Sequence, residues 1–341
     1  GGDAGDANVQ LVGFGGTLLL GGYLGAAISR RGHSVSPDLV AFNRHEQMLR
    51  LRRFVADRVP GKASRNGGGP VAAGVAGFAG PDAVGESLSG IENWVESHDY
   101  RGYEPFDGLS SYLRVFTRRS LFLDRVLMQL VRRSPVNLRP LLGIRPLEST
   151  IGRGYMARGY LRRYRTTGNG DYRAKAEQCL QWLIENPSPD TPEYAWGKHF
   201  DFASRIGRYP RLAPITVWTA LIGMAFLEAY EQLGTGQYLD VAASSARWMT
   251  ALPRNETPRG ICMGYTARGD MGSTIHNHNM LAAAFLARTA ALLRQAGRGG
   301  TEVDGFRALA DGAMEYSCSQ QHRDGSWFYG EEPKYAWIDN F

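Results

Sequence analysis

Three long stretches of the chain have a helical pattern of apolar positions, and each is followed by a glycine-rich turn. They read GRGYMARGYLRRYRTT from residue 152, ITVWTALIGMAFLEAYEQL from residue 215 and HNMLAAAFLARTAALLRQA from residue 278. The second and third are apolar almost all round, which is typical of helices that lie inside a domain. The pattern therefore predicts a set of inner helices.

A second helical pattern follows each turn, and it repeats along the chain. Its copies begin GNGDYRAKAEQ at residue 168, GTGQYLDVAAS at 234 and GGTEVDGFRAL at 299. Each copy has an aromatic residue, an alanine and a second aromatic residue at matching positions, spaced 66 and then 68 residues apart. These positions are Tyr172, Ala176 and Trp182; Tyr238, Ala242 and Trp248; Phe306, Ala310 and Tyr316. Such agreement indicates a structural repeat whose aromatic rings pack in the core.

The repeating unit is predicted to be a helical hairpin: an inner helix, a short turn, an outer helix and a long loop back. Residues 86–133 fit the scheme as a less regular first pair, so about four hairpins would reach residue 322 and PKYAWIDNF would begin a fifth. Common open solenoids repeat every ~34 to ~45 residues. The longer unit favours a ring, so the predicted fold is all-α, with repeated hairpins forming an incomplete α/α toroid.

The N-terminal part of the chain differs from the repeats. Residues 1–57 read as a glycine-rich leader with a basic helix, and residues 58–85 as a flexible linker, so the toroid domain is predicted over residues 86–341. The uncharged run at residues 9–29 is long enough to span a bilayer. Its glycines disfavour a helix, so a membrane span is not expected. The run also lacks the third glycine of a dinucleotide fingerprint, where Leu18 stands instead.

Composition and charge narrow the classes of ligand. The chain has a net charge of +6, and nearly all its basic residues are arginines, which favour carboxylate or phosphate partners. These arginines are spread out and no nucleic-acid motif occurs, so nucleic acid is not an expected partner. The cysteines Cys179, Cys262 and Cys318 form neither a zinc nor a disulfide pattern, which fits a reducing, cytoplasmic location. No cofactor is expected, and the oligomeric state stays open.

The long loops that lead from an outer helix to the next inner helix should all lie at the same end of the repeats. Each loop places aromatic rings beside ionisable groups. The first holds Trp196, Lys198, His199 and Asp201; the second holds Tyr265, Arg268, Asp270, His276 and His278; the third holds Trp327, Tyr329, Glu331, Glu332, Lys334, Trp337 and Asp339. The segment NWVESHDYRGYEPFD, which includes Glu104 and Asp107, offers a fourth contribution.

This mixture of residue types is typical of a carbohydrate site. A pyranose ring stacks its C–H face on an aromatic side chain, and its hydroxyl groups need hydrogen-bond donors and acceptors. Cleavage of a glycosidic bond needs a positioned acid and a second carboxylate. Removal of a proton next to a uronate carboxylate instead needs an acid–base pair such as Tyr and His.

Each candidate residue has an expected role and a structural alternative. The side chains expected to bind substrate are Trp196, Lys198, Tyr265, Arg268, Trp327, Tyr329 and Trp337, with Lys198 or Arg268 neutralising a carboxylate. The catalytic candidates are Asp201, His278, Glu332, His199 and Asp339. Alternatively, His199 and Asp201 would form hydrogen bonds within their loop, and Asp339 would cap a helix.

The pair His276 and His278 has a spacing found in metal sites, but no third ligand stands at a recognisable distance along the sequence. Ser273 and Asn277 could instead cap the helix that follows, and the histidines would then be polar loop residues. No metal site is predicted.

The hairpin repeat, the DGSW turn at Asp324–Trp327 and the following WIDN resemble the α/α-toroid proteins of the six-hairpin glycosidase superfamily. That superfamily includes unsaturated glucuronyl hydrolases, the toroidal parts of polysaccharide lyases and, more distantly, sugar epimerases. The resemblance covers residues 86–341. It implies a truncated member, since a closed toroid needs six or more hairpins. The DGSW turn also resembles the turns of terpene cyclase and prenyltransferase repeats, but the acidic DxDD and DDxxD signatures of that chemistry are absent.

These observations predict a carbohydrate-active enzyme, a hydrolase, lyase or epimerase, that acts on an acidic or uronate-containing glycan. A helical-repeat scaffold that binds a glycan or a protein without catalysis is the first alternative. A toroidal cyclase is the second.

Overall fold

The computed structural model describes residues 81–118, 120–204, 207–268, 274–333 and 338–339. The glycine-rich leader, the basic helix and most of the predicted linker lie outside the described residues. The chain divides into two compact units between Asp99 and Tyr100, and the described part of the first unit is one helix, α1, at Pro81–Ser97. This helix begins five residues before the predicted start of the toroid domain.

The second unit consists of helices joined by loops that contain short strands. Its helices are α2 (Leu121–Arg133), α3 (Thr150–Thr167), α4 (Gly170–Glu185), α5 (Thr216–Leu233), α6 (Gly236–Thr250), α7 (His276–Gln295) and α8 (Thr301–Ser319). Its strands pair antiparallel as β1 (Arg101–Gly102) with β2 (Leu147–Glu148), β3 (Phe202–Ala203) with β4 (Arg208–Tyr209), β5 (Arg254–Thr257) with β6 (Gly260–Met263), and β7 (Trp327–Phe328) with β8 (Ile338–Asp339). Two 3-10 helices, Asp107–Ser110 and Tyr112–Thr117, precede α2.

The repeat in the sequence corresponds to three helical hairpins, α3–α4, α5–α6 and α7–α8. The glycines that end α3 and α5 explain the first two turns. Gly168 and Gly234 adopt φ angles of 70° and 71°, and their N–H groups donate to Tyr164 O and Tyr230 O. A left-handed residue after the last helical turn is the usual glycine cap. Tyr164 and Tyr230 each stand eight residues before the first aromatic position of the repeat, Tyr172 and Tyr238, so the turn and the repeat share one register.

The hairpins pack side by side in two layers. Helices α3, α5 and α7 form the inner layer, with α5 between its neighbours, and α4, α6 and α8 form the outer layer. Fully or almost fully buried side chains from both layers, such as Leu161, Phe226, Phe285 and Phe306, fill the space between them. The predicted all-α fold of repeated helical hairpins is confirmed.

The predicted first hairpin has a different structure. Its residues 86–97 belong to α1 in the first unit, whereas α2 belongs to the second unit. Helix α2 instead packs on the two 3-10 helices through a small core of its own. That core contains Leu109, Leu127, Met128, Val131 and Ile144.

Hydrogen bonds at the N-terminal ends of the inner helices hold the long loops in place. The buried hydroxyls of Thr150 and Thr216, the first residues of α3 and α5, donate to Gly197 O at 2.8 Å and Gly264 O at 2.7 Å. At the start of α7, the N–H of His276 donates to Tyr329 O at 3.0 Å. Each inner helix therefore fixes the loop of the next hairpin at the same end of the unit.

No helix in the described part of the chain combines the length and the hydropathy needed to cross a membrane. The apolar run at residues 9–29 lies outside that part.

Helices α5 and α7 approach closely at Gly223, where an added Cβ would lie 2.4 Å from the ring of the fully buried Phe285. We expect Gly223→Ala to lower the free energy of unfolding by about 1–3 kcal/mol, because the ring has no space to move into. The matched control is Gly159→Ala on α3, whose methyl group would meet no atom within 4 Å. It should raise stability by up to about 1 kcal/mol. Urea denaturation measures the free energy of unfolding of both variants. Equal changes in the two variants would contradict the close contact between Gly223 and Phe285.

Candidate functional site

Lys198 lies at the centre of the candidate site, in the loop between α4 and α5. Its Nζ is 4.2 Å from the ring centroid of Phe202 and 4.3 Å from that of Trp218. Phe202 comes from β3 and Trp218 from the first turn of α5, so the loop and the inner helix together surround the amine. Burial lowers the pKa of Lys198 to about 8, although the charge of Glu104 opposes the shift. Both protonation states of the amine are therefore accessible near neutral pH.

Glu104 is the acidic neighbour of this amine. Burial raises the pKa of its carboxyl group, while the charge of Lys198 and a hydrogen bond from Ser149 favour the carboxylate. Ser149 is also the N-cap of α3, where its hydroxyl accepts from Gly152 N at 3.3 Å. The site thus brings together a carboxyl group with a raised pKa and an amine with a lowered one.

A buried ion pair positions the segment that carries Glu104. Arg139 Nε donates to both carboxylate oxygens of Asp107, at 2.8 Å and 3.0 Å, and both side chains are 6% exposed. Arg139 Nη2 also donates to the backbone carbonyl of Glu104 at 3.0 Å. Since Asp107 is bonded in this way, it helps to place Glu104 and is not a free carboxylate.

A row of aromatic rings leads away from the amine. Phe202 contacts Phe106 edge to face at 5.6 Å between centroids, and it contacts Tyr209 at 5.8 Å. Tyr209 in turn contacts Tyr265 at 5.8 Å. Phe106, Phe202, Trp218 and Tyr265 are only half-buried, so each keeps part of its ring accessible. These rings come from three separate segments of the chain, and the fold aligns them.

His278 and Tyr265 close the far end of this row, with their rings 5.1 Å apart. Burial lowers the pKa of His278 to about 4, so the ring is neutral, and its Nε2–H donates to Met263 O at 2.7 Å. Within the described residues, His278 Nδ1 and Trp218 Nε1 are buried without a hydrogen-bond partner. Burial, together with the neighbouring hydroxyls of Tyr329 and Tyr209, raises the pKa of Tyr265. The two unpaired atoms, His278 Nδ1 and Trp218 Nε1, are available to a water molecule or to a ligand.

His276 lies two residues before His278 and has a different environment. Its Nε2 lies 2.6 Å from Glu331 Oε1, and its ring stacks on Tyr316 at 5.5 Å between centroids. Of the two adjacent glutamates, the sequence analysis favoured Glu332, whose Oε1 lies 3.5 Å from Thr274 Oγ1. The histidine–carboxylate contact belongs to Glu331.

Asp201 and His199 flank the site, and both contact other residues of the protein. Asp201 forms an ion pair with Arg114, and it accepts a hydrogen bond from the N–H of Arg211 at 3.0 Å. These contacts match the loop-forming alternative for Asp201. His199 is buried beside Phe200, and burial and the charges of Arg211 and Lys198 lower its pKa to about 4. His199 is therefore neutral.

Two of the tryptophans expected to stack on a sugar are engaged in the protein. Trp196 is fully buried; its ring stacks on Phe226 at 5.7 Å, and its Nε1 donates to Leu183 O at 3.1 Å. It is a core residue and offers no surface for stacking. Trp327 is half-buried, and its Nε1 donates to Ser317 O at 2.7 Å.

The other predicted residues are distributed as follows. Tyr329 is close enough to Tyr265 to affect its pKa, whereas the Arg268 side chain is exposed. Asp339 lies in β8 opposite Trp327. Asn277 lies inside α7, whose N-cap residue is Ile275, so the prediction that Asn277 caps this helix is wrong. Asp270, Ser273, Lys334 and Trp337 lie outside the described residues.

Within the residues that the structure describes, no three His, Cys, Asp or Glu side chains are grouped as metal ligands. His276 and His278 occupy the first turn of α7 and bond to Glu331 and to Met263 O, respectively. The prediction that they lie in an extended segment or loop is therefore wrong.

The fold and site define an all-α protein of repeated helical hairpins with a paired acid and amine at one end. No protein-family model and no curated protein matches the chain. Among solved structures, the chain is similar to a selenomethionine derivative of a GH76 α-mannanase from Bacteroides thetaiotaomicron, with 18% sequence identity and a TM-score of 0.37. The similarity covers 56% of this chain and 50% of that one, so this chain spans half the length of the solved relative. At this level the similarity does not define a substrate or a reaction.

Proposed function

We propose that the protein is a carbohydrate-active enzyme whose acid–base pair is Glu104 and Lys198. One observation carries this proposal: burial moves the pKa values of these two side chains towards neutrality from opposite directions, inside a set of aromatic rings. Pairs of ionisable groups with displaced pKa values are the usual mark of an acid–base site. Half-buried aromatic rings beside such a pair match the apolar face and the hydroxyl rim of a sugar.

The substrate that fits this pair best is a uronate-containing glycan. A carboxylate on the sugar acidifies the neighbouring C–H bond, so a general base with a pKa near neutrality can remove that proton. The Glu104 carboxylate, whose pKa burial raises, is the candidate base. The Lys198 ammonium group, which keeps its proton below about pH 8, then supplies a proton, either to the leaving glycosidic oxygen in an elimination or to the opposite face of the carbon in an epimerisation.

Hydrolysis would require a second free carboxylate near Glu104. Asp107, the acidic neighbour that Arg139 binds through both oxygens, is not available for that role. For this reason we favour proton abstraction next to a carboxylate over hydrolysis.

The test is to incubate the chain with uronate-containing and neutral polysaccharides and to follow the reaction by proton NMR. Unsaturated uronate signals or an inverted coupling at C5 would support elimination or epimerisation, respectively. New reducing ends without either signal would identify a hydrolase and overturn the assigned base. Binding detected by calorimetric titration, with no spectral change on any glycan, would mean that the site is a noncatalytic glycan-binding surface.

The pH dependence tests the role of Lys198. Since its pKa is about 8, activity that needs the ammonium form as the acid should decrease as the pH rises through about 8. The matched variant is Lys198→Arg, which keeps a positive charge but does not lose its proton in this range. We expect this variant to bind the glycan and to lose turnover, as measured by titration and initial rates. Activity that increases through pH 8 would instead assign Lys198 as the base, and normal turnover in Lys198→Arg would assign it only as the cation that binds the substrate carboxylate.

A further inference from the structure

Helix α2 is apolar on two opposite faces. One face, with Leu127, Met128 and Val131, packs in the small core beneath it. On the other face, Phe122, Val126 and Leu130 recur every four residues and are 69%, 38% and 65% exposed. A helix that packs on one partner normally has a single apolar stripe. The second stripe is therefore not covered by the described part of the chain.

This stripe belongs to a larger exposed apolar surface. We define the apolar patch as Val115, Phe116, Phe122, Leu130, Val136 and Leu141, each of which is between 62% and 75% exposed. The hydroxyl of Tyr112 donates to Leu141 O at 3.0 Å, which joins the 3-10 helix to the loop after α2. The patch thus draws on three consecutive segments: the second 3-10 helix, α2 and the loop after α2. Exposed apolar side chains grouped to this extent mark an interaction site.

The surroundings of the patch are strongly basic. Residues 108–147 contain eight arginines and one acidic residue, Asp124. Two of the arginines are already paired, Arg139 with the buried Asp107 and Arg114 with Asp201. Asp124 is buried and bonds to Arg208 at 2.5 Å, so it adds no exposed negative charge. Arg118, Arg133 and Arg145 are exposed at the surface. Together, these features give an apolar centre with a positively charged rim.

We propose that the apolar patch docks on an anionic lipid surface, with its aromatic and aliphatic side chains in the interface and its arginines on the headgroups. Apolar side chains next to basic ones are the combination that binds proteins to the surface of such membranes. A second copy of the chain fits the patch less well. A symmetric contact would place the arginine rims of both copies against each other.

Docking of this kind would bring the candidate site close to the lipid surface. Arg114 lies in the same 3-10 helix as Val115 and Phe116, and it forms an ion pair with Asp201, three residues after Lys198.

The experiment is co-sedimentation of the full chain with vesicles of phosphatidylcholine, alone or with about one-third phosphatidylglycerol. We expect binding to the anionic vesicles only, and weaker binding at high salt. The double variant Phe122→Ser/Leu130→Ser should bind roughly tenfold more weakly or worse, because two large apolar side chains no longer insert. The double variant Arg133→Gln/Arg145→Gln should also lose affinity for anionic vesicles. The matched control is Met314→Ser on α8, an apolar residue that is 38% exposed away from the patch, and it should bind normally.

Circular dichroism and thermal unfolding establish that each variant is folded. No sedimentation of the full chain with anionic vesicles at low salt would overturn the proposal. Equal sedimentation of the Phe122/Leu130 variant would also overturn it, and would assign the binding to another segment such as the apolar run at residues 9–29. A dimer in analytical ultracentrifugation that this variant abolishes, without vesicle binding by either protein, would make a second copy the partner instead.

Discussion

Glu104→Gln is expected to lower turnover about 10²- to 10⁴-fold while glycan affinity changes by less than about threefold. The amide has the shape of the carboxylate and can still hydrogen-bond to Ser149, but it cannot take up a proton as the base does. Turnover is measured from NMR initial rates and affinity by titration. A loss in turnover without a loss in binding is the sign of a group that acts in the chemical step.

The matched control is Glu185→Gln, which makes the same chemical change at an exposed position in the last turn of α4. It should leave both turnover and affinity unchanged. Glu104→Gln with normal turnover would remove Glu104 from the mechanism and leave Lys198 without its partner base. A variant that loses binding and turnover equally would identify Glu104 as a residue that only binds the substrate.

The fold could be predicted because the aromatic residues that repeat in the sequence are residues that pack in the core. Tyr238, Trp248, Phe306 and Tyr316 recur at fixed positions, and all four side chains are buried in the structure; the equivalent Tyr172 and Trp182 are half-buried and pack against the same core. The helical stretches that the sequence begins at residues 152, 215 and 278 start within two residues of α3, α5 and α7.

The candidate site was less predictable, because residue type does not indicate which way a side chain points. Trp196 and Lys198 are two positions apart in one loop, yet the tryptophan is in the core and the lysine is in the site. The residue between them is Gly197, where a Cβ would lie 1.9 Å from Ala213 O, so the backbone passes too close there for any side chain. That contact depends on the tertiary structure and leaves no periodic signal.

Glu104 was noticed in the sequence only as part of a fourth contributing segment. It lies outside the regular hairpins, so no repeat aligns it with the other loops. The pairing of Asp107 with Arg139, which fixes this segment, joins residues on either side of α2. An excess of arginine predicts acidic partners in general, but the partner of Arg139 is a carboxylate of the protein itself.

Arg139→Met is expected to lower the free energy of unfolding by about 3–5 kcal/mol at pH 7, the largest stability effect that we predict for one substitution. The change leaves the buried carboxylate of Asp107 without its cation, and an unpaired buried charge costs far more than a lost surface ion pair. Burial already raises the pKa of Asp107 with Arg139 in place, so the carboxylate is poorly solvated there. Urea denaturation gives the free energy.

The pH dependence of the free energy of unfolding distinguishes the cost of an unpaired buried carboxylate at Asp107 from a loss of packing at residue 139. Without Arg139, the folded-state pKa of Asp107 should be raised further above its unfolded value, so the cost is present at neutral pH and decreases as the carboxyl group takes up a proton on acidification. The difference between Arg139→Met and the native chain should therefore be smaller at pH 5 than at pH 7. The double variant Asp107→Asn/Arg139→Met should recover much of the lost stability, because it removes both charges.

The matched control for Arg139→Met is Arg307→Met on α8. Arg307 Nε also donates to both oxygens of an aspartate, Asp311, at 2.8 Å each, but these side chains are 53% exposed. An exposed pair contributes little to stability, so this variant should unfold like the native chain. Because Arg139 also holds the backbone carbonyl of Glu104 at 3.0 Å, the double variant should regain stability without regaining turnover. A stable double variant with normal turnover would mean that Glu104 keeps its position without Arg139, and that the ion pair serves only the fold.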